Sequence, residues 1–445
     1  MTRSTTASDQ APGQVLGRRP PLPSPLTLLT RASEQRPALF LIALVVVAAA
    51  VRVSLLDRDY WADEIAQYRI SQQPSVGRVL DEVERGDRFP PAFALLVHGC
   101  FQLGSSEAWG RLPSLASGLV LIPVSWLLGR AWVGPTGAVV MSCTAAAGPQ
   151  YIYFSCESRP YELGLVTVCV ILLASHKYTR KPSWRSAAVL SASIVAGTSV
   201  QYAALPIAAA ALVAGLGRLW QSGCLGRPTV PYNLFVVGTF VLTAVVAGAY
   251  MKSQIDRRGT GTTDFLQGYF FDATDPVRAG QFAAESTTGL IRFLTLSSVS
   301  GPRWHALCGL AWLPAVVALA YAARGIKRHF ALLLVSVGTL LGFIVMAGVG
   351  LHPYGGIRQC LALAPGLFLL YSCGVGVLHQ LPRPCSATAD AAFVLMMGLM
   401  VAADWRSVPA LNKYDIKRSI EAIESKAGDH DEVVVVGRHA CIVFE

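Results

Sequence analysis

Long apolar stretches separated by short polar connections set the pattern of this chain. They fall at 37–56, 112–130, 135–154, 161–176, 186–200, 203–220, 231–251, 304–323, 329–350, 358–379 and 387–404. An α-helix needs about 20 apolar residues to cross a hydrocarbon core of about 30 Å. The pattern therefore predicts about eleven transmembrane helices. A further apolar segment, Pro91–Gly104, has only 14 residues. That is short for a crossing and suits a re-entrant or interfacial helix.

Three polar segments are long: Asp57–Arg111, Lys252–Arg303 and the tail from Trp405. Within the first, a helical stretch is expected over Ile65–Glu84. The tail reads as a helix, Tyr414–Lys426, and a strand, Glu432–Gly437. The start of the chain, 1–36, is polar and rich in Pro, Ser, Thr and Arg. It cannot bury enough apolar surface to fold and is expected to be disordered. The expected organisation is thus a disordered cytoplasmic segment 1–36, a membrane domain 37–404 and a short extracytoplasmic tail 405–445.

Composition agrees with the pattern. The chain is 53% hydrophobic and 14% charged, whereas soluble domains carry about 25% charged residues. Mean hydropathy is +0.47. The net charge of +10 points to anionic lipid and not to nucleic acid, because the basic residues gather in short connections. With the N-terminus inside and Pro91–Gly104 not crossing, the connections Lys177–Arg185, Arg218–Arg227, Arg324–Arg328 and Arg383 are all cytoplasmic. They are basic and free of acid, as the positive-inside rule requires. On that topology 24 of the 27 acidic residues lie outside, all but Asp9, Glu34 and Asp390. All three long segments then share the outer face of the cell membrane, where the work is expected. The ten cysteines have no CxxC or metal-type spacing and read as small buried apolar residues.

Candidate chemistry concentrates in the first long segment. Trp61-Ala-Asp63-Glu64 places two adjacent carboxylates just beyond the first apolar stretch. Such a pair could supply a general base or hold a divalent cation. It could equally be a helix start, with Asp63 as N-cap and Glu64 in the first turn. Downstream come Asp87-Arg-Phe-Pro-Pro, then Glu107-Ala-Trp-Gly-Arg111-Leu-Pro-Ser, then Glu157-Ser-Arg159-Pro-Tyr161, and finally His352-Pro-Tyr354 ahead of Arg358. Arg52, Arg111, Arg159 and Arg358 all fall at outer ends of spans, against the usual charge bias. A charge at a membrane edge is costly and needs a partner. One arginine could snorkel to headgroups. Four on the face carrying the carboxylate pair point to a phosphate, which the planar guanidinium binds bidentately.

In this order the motifs W-x-D-E, P-P, G-x-x-E-x-x-x-R-L-P-S and E-x-R-P-Y resemble the bacterial membrane glycosyltransferases related to protein O-mannosyltransferases and to the lipid A aminoarabinose transferases, of the GT-C superfamily. The resemblance covers Arg52 to about Tyr161. It implies an all-α membrane bundle of GT-C type with interfacial helices in the first outer loop. It also implies a polyprenyl-phosphate sugar donor and an acceptor hydroxyl on protein, lipid or cell-wall glycan. By the same resemblance Asp63 is the catalytic base and Glu64 its acidic neighbour, serving Asp63 or a divalent cation. Arg111 and Arg159 match arginines that face the site; with Arg358 and Arg52, singled out by the charge pattern, they are the arginines expected on the donor phosphate. Trp61, Tyr161 and Tyr354 are the expected pocket residues. One departure stands out: many relatives carry His before the two prolines, where this chain has Phe89, so that role is absent or moved to Asp87. The segment Lys252–Arg303, with Phe265, Tyr269, Phe270 and Phe271, is either a lid or a loose surface loop. A transporter or flippase of a lipid-linked saccharide would use similar arginines, but would also need midplane charges that are scarce here. A non-catalytic scaffold would have no use for the cluster.

Overall fold

A computed structural model describes residues 23–411, apart from 57–59, 88, 105, 222, 224–228, 259–263, 273, 298 and 325–326, together with 433–437 and 440–444. Among the described residues eighteen α-helices follow one another. The first two are α1 (Pro25–Gln35) and α2 (Pro37–Val53). Three short helices come next: α3 (Ala62–Ser71), α4 (Val76–Gly86) and α5 (Ala92–Phe101). The bundle continues with α6 (Glu107–Trp132), α7 (Pro135–Ala147), α8 (Pro149–Ser155), α9 (Tyr161–Arg180), α10 (Trp184–Val200), α11 (Ala204–Gln221) and α12 (Val230–Arg258). It closes with α13 (Pro276–Leu296), α14 (Pro302–Ala311), α15 (Leu313–Ala323), α16 (Lys327–Gly348), α17 (Ala364–Gln380) and α18 (Cys385–Leu411). Short 3₁₀ turns cover Asp264–Tyr269 and Arg358–Leu363. Strands β1 (Val433–Gly437) and β2 (Ala440–Phe444) pair antiparallel, Val433 opposite Phe444.

Among the described residues, eight helices are long and apolar enough to cross a membrane, or nine if the bent pair α1–α2 counts as one span. The molecule is a multi-pass membrane protein. The expected count of about eleven is not reached on this measure, for local reasons. Helices α2 and α10 have 17 residues each. The predicted span 135–154 is cut by Gly148-Pro149, where proline removes a donor and clashes with the preceding turn, leaving α7 and α8. Helix α17 lies at the centre of the bundle and α12 at its rim, with most of its apolar surface exposed. Helices α6 and α7 approach closely at Gly129 and Gly137. A Cβ on Gly129 would run into the Gly137 carbonyl, the small-residue packing that apolar solvent favours.

Two expectations change near the start of the chain. Residues 25–35 are helical, not disordered. Ser24 caps α1 by accepting from Thr27 N, Pro25 occupies the first turn, and Leu26 is buried; Trp126 Nε1 donates to Ser33 Oγ at 2.8 Å. Residues 1–22 lie outside the described residues, as does the tail helix expected at 414–426. The single helix expected over Ile65–Glu84 is two, α3 and α4, separated at Gln72-Gln73-Pro74-Ser75, where Ser75 caps α4. Together α3, α4 and α5 form their own small core of Ile70, Val79, Val83 and Ala94. That separate core makes them a cap on one end of the bundle.

Candidate active site

The two adjacent carboxylates at the start of α3 have different surroundings. Glu64 is fully buried. Its carboxylate meets the Arg111 guanidinium as a fork: Arg111 Nε donates to Oε1 at 2.8 Å and Nη2 to Oε2 at 2.9 Å. The Ser158 backbone N–H donates to Oε1 at 2.8 Å, and Trp61 N–H to Oε2 at 3.4 Å. Trp61, not Asp63, is therefore the N-cap position of α3, with Glu64 reaching back over the first turn. Arg111 is equally buried. Its Nη1 donates to the Leu56 carbonyl at 2.8 Å, and its guanidinium lies 4.7 Å above the Tyr60 ring. One ion pair thus ties α3, the second turn of α6 and the turn ahead of α9 together. Ser158 Oγ donates to the Gly110 carbonyl and Ser114 Oγ to the Arg159 carbonyl, closing the same joint.

Asp63 stays at the surface of this joint, its side chain 30% exposed. Arg358 Nη2 lies 2.5 Å from Asp63 Oδ2, and the Arg358 guanidinium sits 5.1 Å from the Trp61 ring centroid. Arg159 approaches from the other side, its Nη1 3.5 Å from the Asp63 carbonyl. Its guanidinium lies 5.0 Å over Phe89, a cation–π contact. The buried Nε of Arg159 has no hydrogen-bond partner among the described residues. Burial alone would lower the Arg159 pKa, but Asp87 foremost, then Tyr161, Asp63 and Glu157, drive it upward, so the group stays charged. The structure thus gathers one accessible carboxylate, two guanidiniums and an aromatic floor at the capped end of the bundle. Phe89, standing where many relatives have His, forms that floor, and Asp87 is the chief electrostatic partner of Arg159.

Two of the four arginines expected on a donor phosphate are engaged by groups of the protein itself. Arg111 is consumed by Glu64. Arg52 is fully buried. It donates to the carbonyls of Ala48, Ala145 and Ala146 and to Ser155 Oγ, at 2.9 to 3.3 Å. It satisfies carbonyls left open where α7 ends, a need that any helix end creates. Of the expected pocket residues, Trp61 is partly exposed while Tyr161 and Tyr354 are buried. Tyr161 packs edge-on to Phe89 at 5.5 Å. Tyr354 shares a 2.7 Å hydrogen bond with Thr287 of α13, and burial pushes its hydroxyl up to about 12.

Helix α13 was not foreseen, although Asp275-Pro276 is a helix-start signature: Asp275 accepts from Val277 N and Arg278 N. Its contact with the loop before Arg358 is very close. A Cβ on Gly356 would collide with the Gly289 carbonyl, and Tyr354 N donates to the Tyr269 carbonyl at 3.0 Å. The segment after α12 is accordingly packed onto the Arg358 loop, with Phe271 and Phe282 in ring contact. The side chain of Phe265 lies outside the described residues.

The carboxylate pair does not fit a shared divalent cation. Both oxygens of Glu64 already accept from a guanidinium, which would repel the ion, and among the described residues no three His, Cys, Asp or Glu side chains converge.

A family model described as dolichyl-phosphate-mannose-protein mannosyltransferase matches residues 88–247. No curated protein matches the sequence. Among solved structures, ArnT from Cupriavidus metallidurans bound to undecaprenyl phosphate is 15% identical, covers 86% of this chain and 79% of its own, and superposes with a TM-score of 0.50. The same protein in the apo state is 13% identical with a TM-score of 0.48, covering 88% and 79%. The oligosaccharyltransferase AglB from Archaeoglobus fulgidus, in complex with an inhibitory peptide and a dolichol-phosphate, is 13% identical, with a TM-score of 0.49 and coverage of 89% and 59%. The matched segment and the architecture shared with ArnT show that the chain is a polytopic membrane protein with an ArnT-like fold.

Proposed function

We propose that the chain transfers a sugar from a polyprenyl-phosphate donor to an acceptor hydroxyl at the extracytoplasmic surface of the cell membrane. The reading rests above all on one observation: Asp63, partly exposed, pairs with Arg358 through its carboxylate while Arg159 reaches its backbone carbonyl. The matched family's description makes mannose the first sugar to test and a protein hydroxyl the first acceptor.

In this mechanism the lipid phosphate lodges between Arg159 and Arg358. The unpartnered Nε of Arg159 supplies a ready donor. Drawing Arg358 toward the phosphate releases Asp63 from its ion pair, and the freed carboxylate accepts the acceptor's hydroxyl proton. The departing phosphate needs charge stabilisation more than a proton, and preorganised guanidiniums in a partly dry site supply it. Attack opposite the leaving phosphate inverts the anomeric carbon, as in single-displacement glycoside chemistry. Glu64 and Arg111 act as positioning residues that hold the Asp63 turn against α6. Arg52 does the same for the end of α7. No step requires a metal ion.

The direct test incubates purified protein with polyprenyl-phosphate mannose and other polyprenyl-phosphate hexoses and pentoses, and measures release of free polyprenyl phosphate with acceptor peptide or glycan. Donor-dependent release supports the reading. No release from any donor overturns it. Within that assay, Arg159→Ala is expected to raise donor KM at least tenfold and leave acceptor KM within twofold; an unchanged donor KM removes Arg159 from the donor site. Phe89→Leu keeps the apolar contact but loses the ring. A cation–π contact is worth about 0.5–2 kcal/mol, so donor affinity should fall about 2- to 30-fold. Equal donor KM in Phe89→Leu and the parent would show that the ring is not needed.

A further inference from the structure

Helix α9 starts beside the site at Tyr161 and runs 20 residues to Arg180, about 30 Å. Its far end therefore marks the opposite face of the bundle. Several features that the transfer reaction does not use converge there. His176 is nine-tenths buried, and neither ring nitrogen has a hydrogen-bond partner among the described residues. Its ring packs against Trp132 with centroids 5.0 Å apart. Ser175 Oγ donates to the Ala211 carbonyl at 3.2 Å and Thr179 packs against Gly215, so α9 and α11 lie side by side and bring Arg180 and Arg218 to the same end. No acid balances them in 177–185 or 218–227. Like charges held together without a counter-charge are costly unless an anion joins them.

The same end carries interfacial aromatics. Trp184 and Trp220 are exposed, and Trp184 stacks edge-on with Tyr232 and Phe235 of α12. Indole rings at this height mark the headgroup layer. Between α9, α10, α11 and α12 runs a narrow, mostly apolar cleft, walled by Ser175, Tyr178, Gly215 and Asn233. Tyr178 donates to Asn233 Oδ1 at 2.5 Å. The neighbouring face of α12 is apolar and uncovered.

We propose that this end of the bundle binds one anionic phospholipid, its phosphodiester held between Arg180 and Arg218 and its chains laid against the cleft between α11 and α12. Charge selects the occupant: a neutral lipid offers the arginines nothing, and a soluble phosphate leaves the apolar cleft bare. Guanidinium and phosphodiester make charge-assisted hydrogen bonds, and the bundle's inner surface is where anionic lipid concentrates on the topology expected from the sequence.

The test titrates the full chain in a neutral detergent with phosphatidylglycerol, phosphatidylcholine or glycerol 3-phosphate, and follows the thermal unfolding midpoint. Phosphatidylglycerol should raise it saturably by several degrees, the other two by less than a degree, and R180Q/R218Q should weaken the half-saturation at least tenfold. Equal shifts with phosphatidylcholine, an equal shift with glycerol 3-phosphate, or an unchanged titration in R180Q/R218Q overturns the proposal. If that variant does not fold, native mass spectrometry of the parent chain in equimolar lipids decides. Preferential retention of one phosphatidylglycerol supports the site, and equal retention refutes it. None of these readouts depends on sugar transfer.

Discussion

Asp63→Asn is expected to reduce sugar transfer by about 100- to 10,000-fold, the range a positioned general base contributes, while expression and unfolding temperature stay those of the parent. The amide keeps the size of the side chain and a hydrogen-bond acceptor for Arg358. It cannot take a proton from the acceptor hydroxyl. Its fold cost should be small because the Asp63 side chain is partly exposed, and exposed ion pairs contribute about 0–1 kcal/mol. Initial rates at saturating donor and acceptor are the measurement. A variant that turns over at the parent rate would end the case for Asp63 as base.

Glu64→Gln should do the reverse. Its charge lies wholly inside the protein, and so does that of Arg111. Removing one partner leaves the other buried without a counter-charge, which costs about 3–5 kcal/mol. The expected result is a large fall in unfolding midpoint in detergent, with activity lost through the fold. Exchanging both residues, Glu64→Leu with Arg111→Met, should recover much of the stability, because the buried charge is then gone. Recovery will be partial, since Ser158 N–H loses its acceptor. A Glu64→Gln protein as stable as the parent would show that the pair does not hold the joint. Two neighbours in sequence are thereby assigned opposite phenotypes, one of rate and one of stability.

That contrast marks what the sequence carries and what it hides. The bundle is legible because a hydrocarbon solvent demands long apolar helices, and these stand out without knowledge of their partners. The clustering of Asp63, Arg159 and Arg358 at one end is legible because charges at membrane edges need a reason. Which arginine meets which carboxylate is not. Arg111 and Arg159 look alike in sequence, each just beyond a polar loop. Only packing reveals that the first has turned inward to Glu64 while the second keeps an open donor. The break between α7 and α8 was written in Gly148-Pro149, yet the surrounding hydrophobicity masked it. Helix α13 was overlooked because an amphipathic helix on a membrane protein lacks the continuous apolar run used to find spans.

Arg52 carries a lesson about assembly order. Its carbonyl partners Ala145 and Ala146 emerge more than ninety residues later. The segment that carries Arg52 is therefore made before these acceptors, and its guanidinium lacks the carbonyls of α7 until α7 follows. Biogenesis of this molecule is then a delayed handshake. Helix α2 becomes a settled resident only when the third long apolar stretch of chain has come to meet it.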